Sequence, residues 1–164
     1  MVNDLTVTLF GEQALNQKMT FKDTLSLLQE LDLINVGELA EKAVAKKTGI
    51  KQASRCQTAY DLENGWEIKH GQARANGKNT QRNAYVAGMR NKTGTLRVVI
   101  TELLTGKLYF FKVPFRAYKE CRDSSLQWVF ETDGSPRRQF IKPGASTRPN
   151  FWDYEVASFD ELCS

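Results

Sequence analysis

The 164-residue sequence predicts an α/β (α+β) domain, a mixed β-sheet flanked by helices. Three observations lead there: a doubly capped helix pattern at about 37–47, a hairpin signal at Glu63-Asn64-Gly65, and alternating β runs from residue 96 onward. Hydrophobic content of 41% supports one compact unit with its own core, so 1–164 is read as a single domain.

Asn35 followed by Glu38 forms the start signal of the first clear helix, and Gly49 is its natural stop. Between them Leu39, Ala40, Ala43 and Val44 fall on one side, which can lie against a sheet. A leucine-rich amphipathic segment at 24–33 predicts a shorter helix before it. Residues 53–72 read as two strands around Glu63-Asn64-Gly65. Thr80 is read as the cap of a helix through Gln81, Ala84, Tyr85 and Met89 that ends at Lys92-Thr93-Gly94.

From 96 to 101 the residues alternate, and Thr105-Gly106-Lys107 turns the chain into a second β run that stops at Pro114. Residues 126–131 and 151–156 are further strand candidates, expected to build extra C-terminal β hairpins. A Pro, Gly and Arg-rich stretch at 134–149 divides them, and Ser158-Phe159-Asp160-Glu161 is a capping box for a last helical turn. The aromatics Trp128, Phe130, Phe151, Trp152 and Tyr154 suit a β core better than a base-stacking platform.

Composition excludes several chemistries. No apolar run is long enough to span a bilayer and the start has no signal-peptide pattern, so the expected location is the cytoplasm. Cys56, Cys121 and Cys163 are widely spaced, lack a CxxC pair and read as reduced thiols without a role. His70 is the only histidine and no GxSxG elbow exists, which argues against serine hydrolase chemistry. The net charge of +4 is unevenly spread, because residues 50–100 hold nine Lys and Arg against Asp61, Glu63 and Glu67. Residues 135–149 add Arg137, Arg138, Lys142 and Arg148 without an acid. Such regions attract polyanions.

The chemistry-bearing segment is Asp61-Leu62-Glu63-Asn64-Gly65-Trp66-Glu67-Ile68-Lys69. Glu67 and Lys69, two apart on a strand, share a face. Where Asp61 points depends on the turn. A two-residue Asn64-Gly65 loop would put Asp61 on the face of Ile68. A three-residue loop with Gly65 left-handed pairs Leu62 with Trp66 and Asp61 with Glu67, and it also gathers Tyr60, Leu62, Trp66 and Ile68 on one apolar side. Carboxylates about 5 Å apart on neighbouring strands repel unless a cation lies between them, and oxygen ligands suit Mg²⁺ or Mn²⁺. Lys69 beside such an ion could hold a water aimed at phosphorus.

This pattern resembles the PD-(D/E)xK nuclease superfamily, over about residues 37–101. The resemblance rests on Gly37-Glu38-Leu39-Ala40-Glu41, Ala59-Tyr60-Asp61 and Trp66-Glu67-Ile68-Lys69, followed by a helix and the strand at 96–101. No proline precedes Asp61. The resemblance implies a restriction-endonuclease-like αβββαβ core, here spanning about 37–113, with 114–164 as an elaboration for DNA recognition or dimerisation. It implies that Asp61, Glu67 and the main-chain carbonyl of Ile68 bind Mg²⁺, that Lys69 contacts the attacking water, and that Glu38 or Glu41 supports the metal site. The implied function is a sequence-specific endonuclease of duplex DNA, of restriction or homing type, and the small size of the chain favours a homodimer. The alternatives are a non-catalytic nucleic-acid-binding protein and an exonuclease or nicking enzyme of the same superfamily. Gln81 and Tyr85 also fit the QxxxY spacing of the exonuclease branch, a spacing that helix packing equally explains. Lys78, Arg82, Arg90 and Lys92 are expected to contact DNA phosphates, and Arg137 and Arg138 to read base edges.

Overall fold

The computed structural model describes residues 21–31, 34–54, 59–75, 81–121, 123–138 and 151–164. Helix α1 (Phe21–Glu30) covers most of the predicted leucine-rich segment. Helix α2 (Val36–Thr48) starts and stops at the expected residues. Asn35 Oδ1 accepts from the Glu38 N–H at 3.2 Å, and Gly49 closes the helix at φ +73° with its N–H donating to Ala45 O. Both ends thereby satisfy backbone groups that a bare helix leaves open.

Among the described residues six strands form one mixed sheet in the order β5-β2-β1-β3-β4-β6. They are β1 (Glu67–Ala75), β2 (Arg82–Val86), β3 (Leu96–Glu102), β4 (Leu108–Val113), β5 (Leu126–Phe130) and β6 (Glu155–Val156). β1 runs parallel to β3 with Glu67 opposite Leu96, and the other neighbouring pairs are antiparallel. β3 is buried along its whole length, as a strand covered on both faces must be. On one face Val98 and Ile100 meet Ala84, Val86, Phe111, Trp128 and Trp152; on the other Val99 meets Ile68, Leu62, Val44 and Leu162. Trp128, Phe130, Phe151 and Trp152 are thus core residues. The described residues also hold the short helices α3 (Phe115–Tyr118) and α4 (Phe159–Leu162), and Ser158 Oγ accepts from the Glu161 N–H at 3.1 Å as the capping box predicts.

Three expectations are corrected. The helix predicted at 80–92 is β2 followed by a turn, because Arg82, Ala84 and Val86 alternate inward and Arg82 buries its charge on Glu102; Thr80 lies outside the described residues. The first limb of the hairpin is not a regular strand: Leu62 forms an isolated bridge to Gln52, with Ala53 N–H donating to Asp61 O and Glu63 N–H to Lys51 O. The C-terminal strands do not stand apart as hairpins but extend opposite edges of the sheet, β5 on β2 and β6 on β4, and residues 151–154 form a 3₁₀ turn where a strand was expected. β5 does fold back on a short following segment, through a bridge from Phe130 to Pro136.

Candidate active site

The turn before β1 is the three-residue form. Gly65 has φ +84°, its N–H donates to Leu62 O at 2.8 Å, and Leu62 N–H donates to Trp66 O at 3.0 Å. The Trp66 N–H donates to Asn64 Oδ1 at 3.2 Å, which stiffens the loop. Leu62 and Ile68 enter the core with Trp66 packed against them, as the register argument requires, whereas Tyr60, expected on the same apolar side, lies instead in the cleft with Asp61, because the chain leaves regular pairing at Asp61. The guanidinium of Arg97 lies 3.1 Å above the Trp66 ring.

Asp61 does not sit in a regular ladder opposite Glu67. Trp66 O accepts from both Leu62 and Asp61, and this second irregularity turns the Asp61 carboxylate toward the edge of β1. There Asp61 Oδ2 accepts from the Ile68 N–H at 2.7 Å. The edge is open to it because β2 pairs with β1 only farther along, at Arg74 and Ala75.

Glu67 and Lys69 do share a face. The Glu67 carboxylate is 4% exposed and held on both sides, Oε1 by Lys69 Nζ at 2.7 Å and Oε2 by Lys92 Nζ at 2.6 Å. Burying a carboxylate demands such partners. On α2, Glu38 pairs with Lys42 at 2.8 Å, and Glu41 lies within electrostatic reach of Asp61 and Glu67 in the hairpin. Burial raises the Glu41 pKa, and the charges of Asp61, Glu67 and Glu38 raise it further against the opposing pull of Lys69. Glu38, Glu41, Asp61 and Tyr60 line a cleft of 580 Å³.

That crowding of carboxylates is the electrostatic condition a hard cation relieves. Among the described residues no group of three His, Cys, Asp or Glu is placed to hold a metal ion. Mg²⁺ requires none, since it is commonly bound through one or two carboxylates with water and substrate phosphates completing its octahedron. Asp61, Glu67 and the Ile68 carbonyl supply the right donor type.

The bases assigned to DNA contact are placed very differently. Lys78 lies outside the described residues. Arg82 is 7% exposed and bonded to Glu102 at 2.5 Å, and Lys92 is 8% exposed on Glu67, so both serve the interior rather than a DNA-facing surface. Arg90 is exposed, 3.3 Å from Asp123. Arg137 makes a two-pronged pair with Glu131 at 2.6 Å per bond, and Arg138 pairs with Glu155 and lies over Trp152. Cys121 and Cys163 are free thiols; Cys56 lies outside the described residues.

Sequence reasoning missed Lys92 as a partner of Glu67, since the two are 25 residues apart and nothing local links them. No helix among the described residues is long and apolar enough to cross a membrane. No protein-family model matches the chain, and no curated protein is found to match it in sequence.

Proposed function

We propose that this chain is a Mg²⁺-dependent DNA endonuclease whose working group is Asp61, Glu67 and Lys69. The observation that carries the reading is the three-residue turn at Gly65, which brings an aspartate to the edge of β1 beside a Glu-x-Lys pair that shares one face. When bound, Mg²⁺ supplies Lewis-acid polarisation of the phosphodiester and a more acidic water. Asp61, Glu67 and the Ile68 carbonyl would hold it, with Glu38 or Glu41, which line the same cleft as Asp61, as the supporting helix acid. Lys69, with 22% of its side chain exposed, can orient a water and screen charge developing on phosphate.

Duplex DNA is the substrate favoured by the basic middle of the sequence, and a restriction or homing role would need a two-fold pair of chains to cut both strands. A non-catalytic reading has its own observation, since Glu67 between two lysines is a satisfied structural ion triad. The replacement of the expected helix by β2 leaves the resemblance resting on α2 and the hairpin.

Supercoiled plasmid incubated with the protein and Mg²⁺, Mn²⁺ or EDTA separates the readings. Cutting is expected with either metal and absent with EDTA. Asp61→Ala, Glu67→Gln and Lys69→Met should each lower it at least a hundredfold while binding persists. Cutting by Asp61→Ala at the parent rate would remove the proposed site.

A further inference from the structure

A second cleft, of 690 Å³, lies between the start of α2, the α1 residue Gln29 and the β1–β2 face that the aromatic core does not use. Asn35 and Gly37 line both this cleft and the one holding Glu41 and Asp61, so the two meet at the start of α2.

Its walls are polar and ordered. Alternation along β2 sends Arg82, Ala84 and Val86 inward and leaves Asn83 and Tyr85 on the cleft side, level with His70, Gln72 and Arg74 of β1. Asn83 lines the cleft at 8% exposure, and its Oδ1 accepts from Gln127 Nε2 at 3.0 Å, which fixes the amide. Tyr85 is 45% exposed, and Gln127 Nε2 donates to its hydroxyl at 3.3 Å, tethering the ring by its tip. Arg74 donates through Nε and Nη2 to Gln72 Oε1, so its guanidinium is held at the rim. Gly71 lets the strands close up here: a Cβ on it would lie 3.1 Å from Tyr85 O and 2.9 Å from Ile100 Cδ1.

A fixed amide, an exposed tethered aromatic ring and a guanidinium are the groups that hydrogen-bond a base edge, stack on its face and meet its phosphate. His70 adds no charge at neutral pH, because burial pushes its pKa down to about 4. A cleft of 690 Å³ has room for a single nucleotide. Resting on the nuclease reading for its substrate, we infer that this cleft is a nucleobase subsite that takes one unpaired nucleotide of the DNA strand, stacked on Tyr85 and hydrogen-bonded to Asn83.

The test uses the full chain in EDTA and a single-stranded oligonucleotide carrying one 2-aminopurine, with the matching duplex beside it. Tyr85→Ala should weaken single-strand binding about tenfold, within the range for one lost stacking contact, and leave the salt slope unchanged. Tyr85→Phe keeps the ring and should bind within about twofold of the parent. Arg74→Ala should instead reduce the salt slope by about one. Tyr85 is exposed, so its loss leaves the fold intact, and circular dichroism checks this. Parent-like single-strand binding by Tyr85→Ala overturns the subsite, even if plasmid cutting persists and upholds the nuclease reading. A Tyr85-dependent loss of binding in a protein that cuts no plasmid upholds the subsite and removes the nuclease.

Discussion

Gly65→Ala perturbs the hairpin in a way whose size the structure defines. The native φ is +84°, and a Cβ built there has no heavy atom within 4 Å, so the cost is conformational rather than a clash. An L-residue in that region costs about 1–2 kcal/mol; alanine should cost about 1, valine about 2 because of its branched Cβ, and asparagine less than alanine. Chemical denaturation monitored by far-UV circular dichroism reads these as shifts in midpoint at constant slope. Gly106, at φ +71° in the turn between β3 and β4, is the matched control. Gly106→Ala should show a similar stability loss but unchanged DNA cutting per folded molecule. Gly65→Ala should cut several-fold more slowly, since the Asp61 to Ile68 bond depends on the turn. Equal cutting by the two variants, or equal stability of the alanine and asparagine forms, would refute the reasoning.

His70 is the sole histidine, so its imidazole proton signal is unambiguous, and it should titrate near 4 with burial as the main cause and Arg74 as the second. A midpoint near 6.5 would show an open site. Because the folded pKa lies below the unfolded one, this stability is complete above pH 6.5 and is lost as pH falls from 6.5 through 4. Its ceiling is about 3 kcal/mol, reduced by the solvent reaching its cleft side. Glu102 is fully buried and holds Arg82 as well as the Thr105 N–H and hydroxyl, so Glu102→Ala should cost about 3–5 kcal/mol. Arg82→Met combined with Glu102→Leu should recover much of that in the same denaturation assay, and a cost below about 1 kcal/mol for Glu102→Ala would contradict the burial.

Legibility followed the range of the interactions. The caps of α2 and the turn at Gly65 are set by residues within four positions of each other, and both were visible in the sequence. So was the alternation of β3 and β4, where the inward residues are apolar. β2 was misread because its first inward residue is an arginine, and Ala84 and Tyr85 with Met89 imitate helical spacing. The charge of Arg82 finds its partner 20 residues away, which no local pattern reveals. Asp61 was expected in a ladder, and the double acceptance at Trp66 O that moves it to the strand edge has no sequence signature. Glu38 and Glu41 were both legible as helix acids, and both line the cleft with Asp61.

The stack of Arg97 on Trp66 has a bearing on the order in which the molecule assembles. Burial pushes the Arg97 pKa down to about 10, and its Nε donates to Leu162 O at 3.2 Å while Lys112 Nζ donates to Ser164 O at 2.8 Å. The hairpin turn is local, but the group that locks its tryptophan comes from β3 and is itself fastened by residues 162–164. Contacts of such separation form late, after the loops between them have closed. At synthesis rates of about 5–20 residues per second, the turn emerges on the order of 5–20 s before its last fastening. A nascent chain therefore carries Trp66 for seconds before the residues that fasten its cationic partner have been made.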